Sequence, residues 1–265
     1  MKEFNQPQFA LAIKNNLCSF IGFINDIPAF INKRGTAYNL CVPINHLVKN
    51  GENTFKVIIT PLSPSSHLEE LSECSATVIV KDVTDNATDF KGLTEMSFAP
   101  GTSNDSIRLP AFELAGGFEA KLSYPDYQWV DAPKLDENRQ QSIEKASKFF
   151  NRFHQAFGQK DTGRIYEAIA SREMEMSNAF YESFEKGMAG TREDIEGTLN
   201  DPNYVLQPLD FTGFLPVFYA DSRIISFMNE KYEQPIFFLN DREGYRREYP
   251  LYLCMDPQNE CMIIR

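Results

Sequence analysis

The sequence predicts two domains: an N-terminal all-β antiparallel sandwich over residues 1–130, and over 131–265 an α+β domain with helices packed on a curved antiparallel sheet. Three observations carry this. The chain has 265 residues, more than one hydrophobic core usually spans. Up to about Lys134 its apolar residues come in short runs between turn residues, whereas Ile143, Ala146, Phe150, Phe153 and Phe157 recur at helical spacing. Hydrophobic residues make up 42% of the chain and include 22 Phe, enough apolar surface for two cores.

The elements follow in order. Leu17 to Ile31 is rich in β-branched and aromatic residues and is broken at Asn25-Asp26 and Pro28, which reads as strand, turn, strand. Asn50-Gly51 supplies the positive φ of a tight turn before the alternating strand Thr54 to Thr60. Ala76 to Val80 is another strand, Pro100 to Ser106 a loop, and Ile107 to Leu109 and Phe118 to Leu122 are late strands. The junction, Tyr124 to Pro133, holds two prolines that disfavour helix and aromatics that favour packing. Trp129, the single tryptophan, is expected to be mostly buried at the interface of the two domains.

Beyond the junction, Asp136 is the expected N-cap of a helix running to Phe157, where Gly158 stops it. A second helix is expected from Asp161 to about Lys186, with Ile165, Ile169, Met176, Phe180 and Phe184 on one stripe, ended by Gly187 and Gly190. Thr191-Arg192-Glu193-Asp194 is similar to a capping box and would open a short helix to Leu199. Strands are then expected at 204–207, 215–219, 223–228, 235–239, 249–255 and 261–264.

Two resemblances rest on these residues. Asn45-His46-Leu47-Val48-Lys49-Asn50-Gly51-Glu52-Asn53 is similar, with one extra residue, to an N-x-L-x-x-G-x-N stretch that precedes a strand in bacterial β-sandwich modules, which implies immunoglobulin-like or jelly-roll topology. Residues 136–265 place Phe150, Phe153 and Phe157 on a long first helix, break at Lys160-Asp161 and finish in strands from Tyr249 to Ile264. That order resembles the nuclear-transport-factor-2-like (cystatin-like cone) fold. The resemblance implies a conical pocket, in a family of dehydratases, isomerases and proteins without activity, whose catalytic Asp-His pairs do not carry over to residues of this chain.

Composition excludes several functions. A formal net charge of -11 opposes binding to a phosphate backbone, so nucleic acid is not an expected partner. No stretch approaches the roughly 20 apolar residues that cross a bilayer, and Glu3 and Lys14 interrupt what a secretory signal would need, so no membrane partner and cytoplasmic residence are expected. The five cysteines form no CxxC pair, and the three histidines have no metal-ligand spacing. Neither a metal nor a cofactor is expected. Buried free thiols are the expected state, the alternative being a Cys254–Cys261 bridge across the turn at 256–259. A Gly-x-Ser-x-Gly elbow and a phosphate-cradling glycine loop are both absent. The carboxylate clusters Glu173/Glu175 and Glu193/Asp194/Glu196 read as solvated helix faces.

With no catalytic residues assigned, the expected function is non-enzymatic capture of another protein through acidic and aromatic side chains. Bacterial immunity proteins, antitoxins that occlude a toxin effector, act in this way, and such a role is the expected form. Glu193, Asp194, Glu196, Tyr232 and Tyr245 are the partner-binding candidates. The alternative is a small-molecule enzyme of the isomerase or dehydratase type, with His154 acting together with Asp210 or Tyr166 as acid and base. Carbohydrate binding by the sandwich is a weaker third reading, because no other tryptophan is present to stack on a sugar ring.

Overall fold

The computed structural model describes residues 4–33, 35–85, 89–99, 109–240, 242 and 244–265. The expected loop at 100–106 and residues 107 and 108 of the expected strand at 107–109 lie outside them, as do residues 241 and 243. Among the described residues the chain is mostly β, with four antiparallel sheets and four α-helices, and it divides into two compact units, residues 1–126 and 127–265.

The N-terminal unit runs β1 (Pro7–Asn16), β2 (Ser19–Ile24), β3 (Ile27–Asn32), β4 (Tyr38–Pro43), a single 3-10 turn at Asn45–Leu47, β5 (Gly51–Thr60), β6 (Glu73–Asp82), β7 (Lys91–Phe98) and β8 (Phe112–Ala120). Two four-stranded sheets result, ordered β4-β1-β6-β7 and β3-β2-β5-β8. Burial alternates residue by residue along β5 and β6, as a strand with one face in a core requires. The sheets meet through such faces: a Cβ on Gly22 of β2 would lie 3.2 Å from Leu11 and 3.5 Å from Ile13 of β1. Asn25 and Asp26 both take positive φ in the β2–β3 hairpin, and Pro28 sits on an edge strand, where its missing N–H breaks no ladder.

Several expectations change. Strands β1, β4 and β7 were not expected. Of Asn50-Gly51 only Gly51 has positive φ, at 82°, while the Asn50 side chain accepts from Leu122 N–H at 2.8 Å. The last strand begins earlier, at Phe112, and passes through Gly116, whose α-carbon pairs with Phe55; a Cβ there would lie 2.6 Å from that ring. Asn45 and Asn53, the ends of the N-x-L stretch, are buried and hydrogen-bonded. Asn45 accepts from Phe9 N–H at 2.6 Å and donates to Pro7 O at 2.8 Å, and Asn53 donates to Lys49 O at 2.8 Å. Both are structural.

The C-terminal unit runs α1 (Gln128–Asp131), α2 (Arg139–Gly158), α3 (Thr162–Ala179), α4 (Phe184–Asn200), β9 (Tyr204–Leu206), β10 (Leu215–Tyr219), β11 (Ile224–Met228), β12 (Phe237–Asn240), β13 (Arg246–Glu248), β14 (Leu253–Met255) and β15 (Cys261–Ile263). Its strands form two sheets, β10-β11-β14-β15 and β13-β12-β9, rather than one. A core of α2, α3 and α4 side chains packs against both, with Phe150 edge-on to Phe227 at 5.2 Å and Phe157 edge-on to Phe238 at 5.6 Å. Between its two prolines the junction makes one helical turn, α1, with Trp129 only 4% exposed. Tyr127 hydroxyl donates to Glu175 O at 3.3 Å, and Lys134 pairs with Asp221 at 2.6 Å, so this stretch is tied into the C-terminal unit.

The helix boundaries differ most. Helix α2 starts after Asn138, with no side-chain cap, not at Asp136. The second expected helix ends at Ala179: Tyr181 takes a φ of 59°, and Ser183 caps α4 by accepting from Lys186 N–H at 3.2 Å. Gly187 and Gly190 therefore lie inside a helix, and Thr191 to Asp194 opens nothing. The reason for Gly187 is spatial, since a Cβ there would lie 2.4 Å from Ser177 Oγ of α3. The expected strand 249–255 shrinks to β14, with β13 placed before it.

Candidate functional site

Helical spacing builds the site from two facing helices. On α3, Ile169, Arg172 and Glu173 stand at i, i+3 and i+4; on α4, Thr191, Asp194 and Ile195 repeat that spacing. Between these faces and the 245–251 segment lies a cavity of about 540 Å³, the size of a ligand pocket. Its floor is apolar, with Phe153, Ile169, Ile195 and Leu251. Its rim carries Thr191, Asp194, Tyr245, Arg247 and Tyr249.

The charges at the rim are paired. Glu173 is 4% exposed, accepts from Arg172 Nε at 2.8 Å and from Thr191 Oγ1 at 2.9 Å, and so is a buried, satisfied carboxylate. Arg247 bonds to Asp194 and lies over the Tyr204 ring at 6.0 Å. Glu248 accepts from Arg246 Nε at 2.8 Å, and the Arg246 guanidinium covers Phe237 at 3.5 Å. Burial pushes the Tyr249 phenol above its usual range, while its hydroxyl donates to Thr198 Oγ1 at 2.9 Å. Asp194 keeps half of its side chain in solvent, and Tyr245 is 53% exposed. These two are the cavity's accessible handles.

No family model, curated protein or solved structure matches this chain. The geometry alone therefore carries the functional argument.

Of the five partner-binding candidates the cavity brings together Asp194 and Tyr245. Glu193 and Glu196 line a different, shallower concavity of about 450 Å³ with Phe184, Met188 and Arg192. Tyr232 lies half-buried in the Asn229–Glu233 turn and lines neither. Arg172, Glu173, Thr191 and Arg247 were missed. Glu173 had the composition of a solvated face, and the Thr191-x-x-Asp194 spacing read as a helix cap; neither pattern states what faces it across space.

The enzymatic trio is spent on separate partners. His154 Nε2 donates to Gln207 O at 2.8 Å, Asp210 accepts from Thr212 N–H at 2.8 Å, and Tyr166 donates to Glu196 at 2.6 Å, its phenol pushed up to about 12 by burial and by that bond. Phe150, Phe153 and Phe227, where a cone pocket would open, are buried rings. Among the described residues no group of three or more His, Cys, Asp or Glu side chains could hold a metal ion, and no helix is long and apolar enough to cross a membrane. The N-terminal unit has its own concavity of about 510 Å³, bounded by Phe4, Phe9, Val80, Leu93 and Leu122.

Proposed function

We propose that this chain is a non-enzymatic binding protein that captures another protein, one with a basic surface, at the α3–α4 cavity. The observation that carries this reading is that Asp194, bonded to Arg247 but half in solvent, and the exposed Tyr245 line one cavity over an apolar floor. Such a rim offers an incoming Lys or Arg the Asp194 carboxylate, in exchange with or beside Arg247, and a ring to pack on, and the apolar floor gives desolvated contact beneath it. A net charge of -11 speeds encounter with a basic partner. The specific form proposed is an immunity protein acting in the cytoplasm on a toxin effector, a residence supported by the five free thiols.

The same proposal takes the N-terminal unit as an antiparallel sandwich of immunoglobulin-like or jelly-roll kind, supported by its two facing four-stranded sheets. It takes the C-terminal unit as a nuclear-transport-factor-2-like α+β domain, supported by three long helices followed by antiparallel strands. The acid–base reading with His154 and Asp210 or Tyr166 draws no comparable support, because no hydrogen bond joins the three.

The test is affinity capture from host lysate with the full chain and with an Asp194→Lys/Tyr245→Ala variant. A basic protein held by the parent and reduced at least about 100-fold by the variant, as loss of a central charged and aromatic pair should do, is the expected result. Equal retention by both chains, or no specific retention by either, would sink the reading.

A further inference from the structure

Five cysteines are free, and their surroundings separate them. Cys41 is exposed on the edge strand β4. Cys254 and Cys261 flank the β14–β15 turn, but Cys254 pairs with Met262 and Cys261 with Met255, so the two thiols leave opposite faces of the sheet and the alternative bridge is not available.

Cys18 and Cys74 are different. They are 0% and 2% exposed, and the Cys18 thiol donates to the carbonyl of Glu73, the residue before Cys74. Cys74 lies on β6 opposite Asn15 of β1. Cys18 lies just past β1, where Leu17 takes a φ of 50° and the chain passes to β2 in the other sheet. That crossing is braced: Ser72 hydroxyl donates to Leu17 O at 2.9 Å, Asn15 Nδ2 to Cys18 O at 2.9 Å, and Cys18 Sγ to Glu73 O at 3.3 Å. These bonds hold the Cys18 thiol against the Glu73–Cys74 peptide of β6.

We propose that Cys18 and Cys74 are an oxidisable dithiol, which a low-molecular-weight disulfide converts to an intramolecular bond tying the β1–β2 crossing to β6. Cys18 is the attacking group, because it sits at the β1–β2 crossing, where opening brings it to the reagent. Its thiolate attacks one sulfur of the reagent, whose S–S bond breaks and releases a first thiolate. Cys74, losing its proton, then attacks Cys18 Sγ in the mixed disulfide and releases the second. The reagent disulfide is reduced to two thiols, the two protons go to the departing thiolates, and the two cysteines are oxidised. Because both thiols are buried, the first step requires the crossing to open.

The experiment refolds the full chain from urea in glutathione buffer, alongside oxidation of the native protein, then alkylates, digests and weighs the peptides. Cys18 and Cys74 should appear linked, two hydrogens lighter than the separate peptides, with Cys41 carrying at most a mixed disulfide. The oxidised protein should melt higher than the reduced by roughly 5 °C. Cys41→Ser should keep the link, and Cys18→Ala should lose it together with the melting difference. If Cys18→Ala fails to fold, comparison of oxidised and reduced parent protein still decides. Both thiols alkylated separately after refolding, either one bonded elsewhere, or an oxidised form that melts below the reduced one would overturn the proposal.

Discussion

The N-terminal unit buries four asparagines in and around its sheets, whereas helix α3 of the C-terminal unit carries two carboxylates in or beside its core. In the N-terminal unit the buried side chains Asn15, Asn32, Asn45 and Asn53 are neutral amides bonded to backbone. On α3 of the C-terminal unit stand Glu173, buried and paired with Arg172, and the half-buried Glu175, whose carboxyl is pushed up to about 7 by desolvation although Gln128 N–H donates to it at 2.8 Å; the unit's other buried polar side chains, such as Ser226, Gln234 and Asn240, are neutral. An amide has the same hydrogen bonds at every ordinary pH. A buried carboxyl does not, so the difference is one of pH response as much as of strength.

The N-terminal exception has the opposite sign. Asp82 accepts from Thr84 hydroxyl at 2.7 Å and from Asn5 N–H at 2.6 Å, which lowers its carboxyl to about 2. Its contribution is present above the ordinary aspartate value and is lost as pH falls toward about 2. For Glu175 the folded pKa lies above the ordinary glutamate value near 4.5, so the folded state keeps a proton that the unfolded chain has released. Stability therefore falls as pH rises from about 4.5 through about 7. The N-terminal unit should weaken in acid and the C-terminal unit toward neutrality.

The largest effect expected is from Asn45→Ala, which leaves Phe9 N–H buried without the Asn45 oxygen and removes the bond from Asn45 to Pro7 O, and should cost about 3 kcal/mol. Urea unfolding at about pH 5 and about pH 8 should return the same loss; a pH-dependent loss would break the contrast. Glu173→Ala strands Arg172, itself a quarter exposed, and should cost about 2 kcal/mol, read by the same titration. A smaller loss would mean that the α3 carboxylate is better hydrated than its 4% exposure implies.

Glu175→Gln should raise stability by up to about 2 kcal/mol at about pH 8 and leave it unchanged at about pH 4, flattening the pH profile in between. A profile with the same slope in the variant would assign the titration elsewhere. The smallest effect is at the helix contact. Gly187→Ala gains helix propensity but drives its Cβ into Ser177 Oγ, for a net loss of about 1 kcal/mol, and adding Ser177→Ala should turn that into a gain. Stabilisation by Gly187→Ala alone would show that α3 and α4 approach less closely than described.

Much of the fold is legible locally. Thr54 to Thr60 and Ala76 to Val80 are β-branched and apolar runs that make strands with alternating burial, and Asn25-Asp26 is a turn by its own backbone preference. Strand β1 was not legible, because alanines dilute its apolar run and no turn pair bounds it. The break between α3 and α4 was not legible either: the stripe through Ile165, Ile169 and Met176 continues in register to Phe180 and Phe184, while the chain reverses at Tyr181. Of the site, Asp194 and Tyr245 were visible as exposed acid and aromatic. Their convergence was not, since 50 residues of chain lie between Asp194 and Tyr245.

Period, turn chemistry and charge are properties of neighbours along the chain, and through them the sequence by itself determined the mostly β character, the long aromatic helix at 139–158 and the acidic surface. Which carboxylates are buried, which glycines are helical and which residues share the cavity was decided only in the tertiary structure. Glu173 is a core residue because Arg172 and Thr191 meet it, and Gly187 is needed because Ser177 stands against it. Contacts made across space leave no period along the chain.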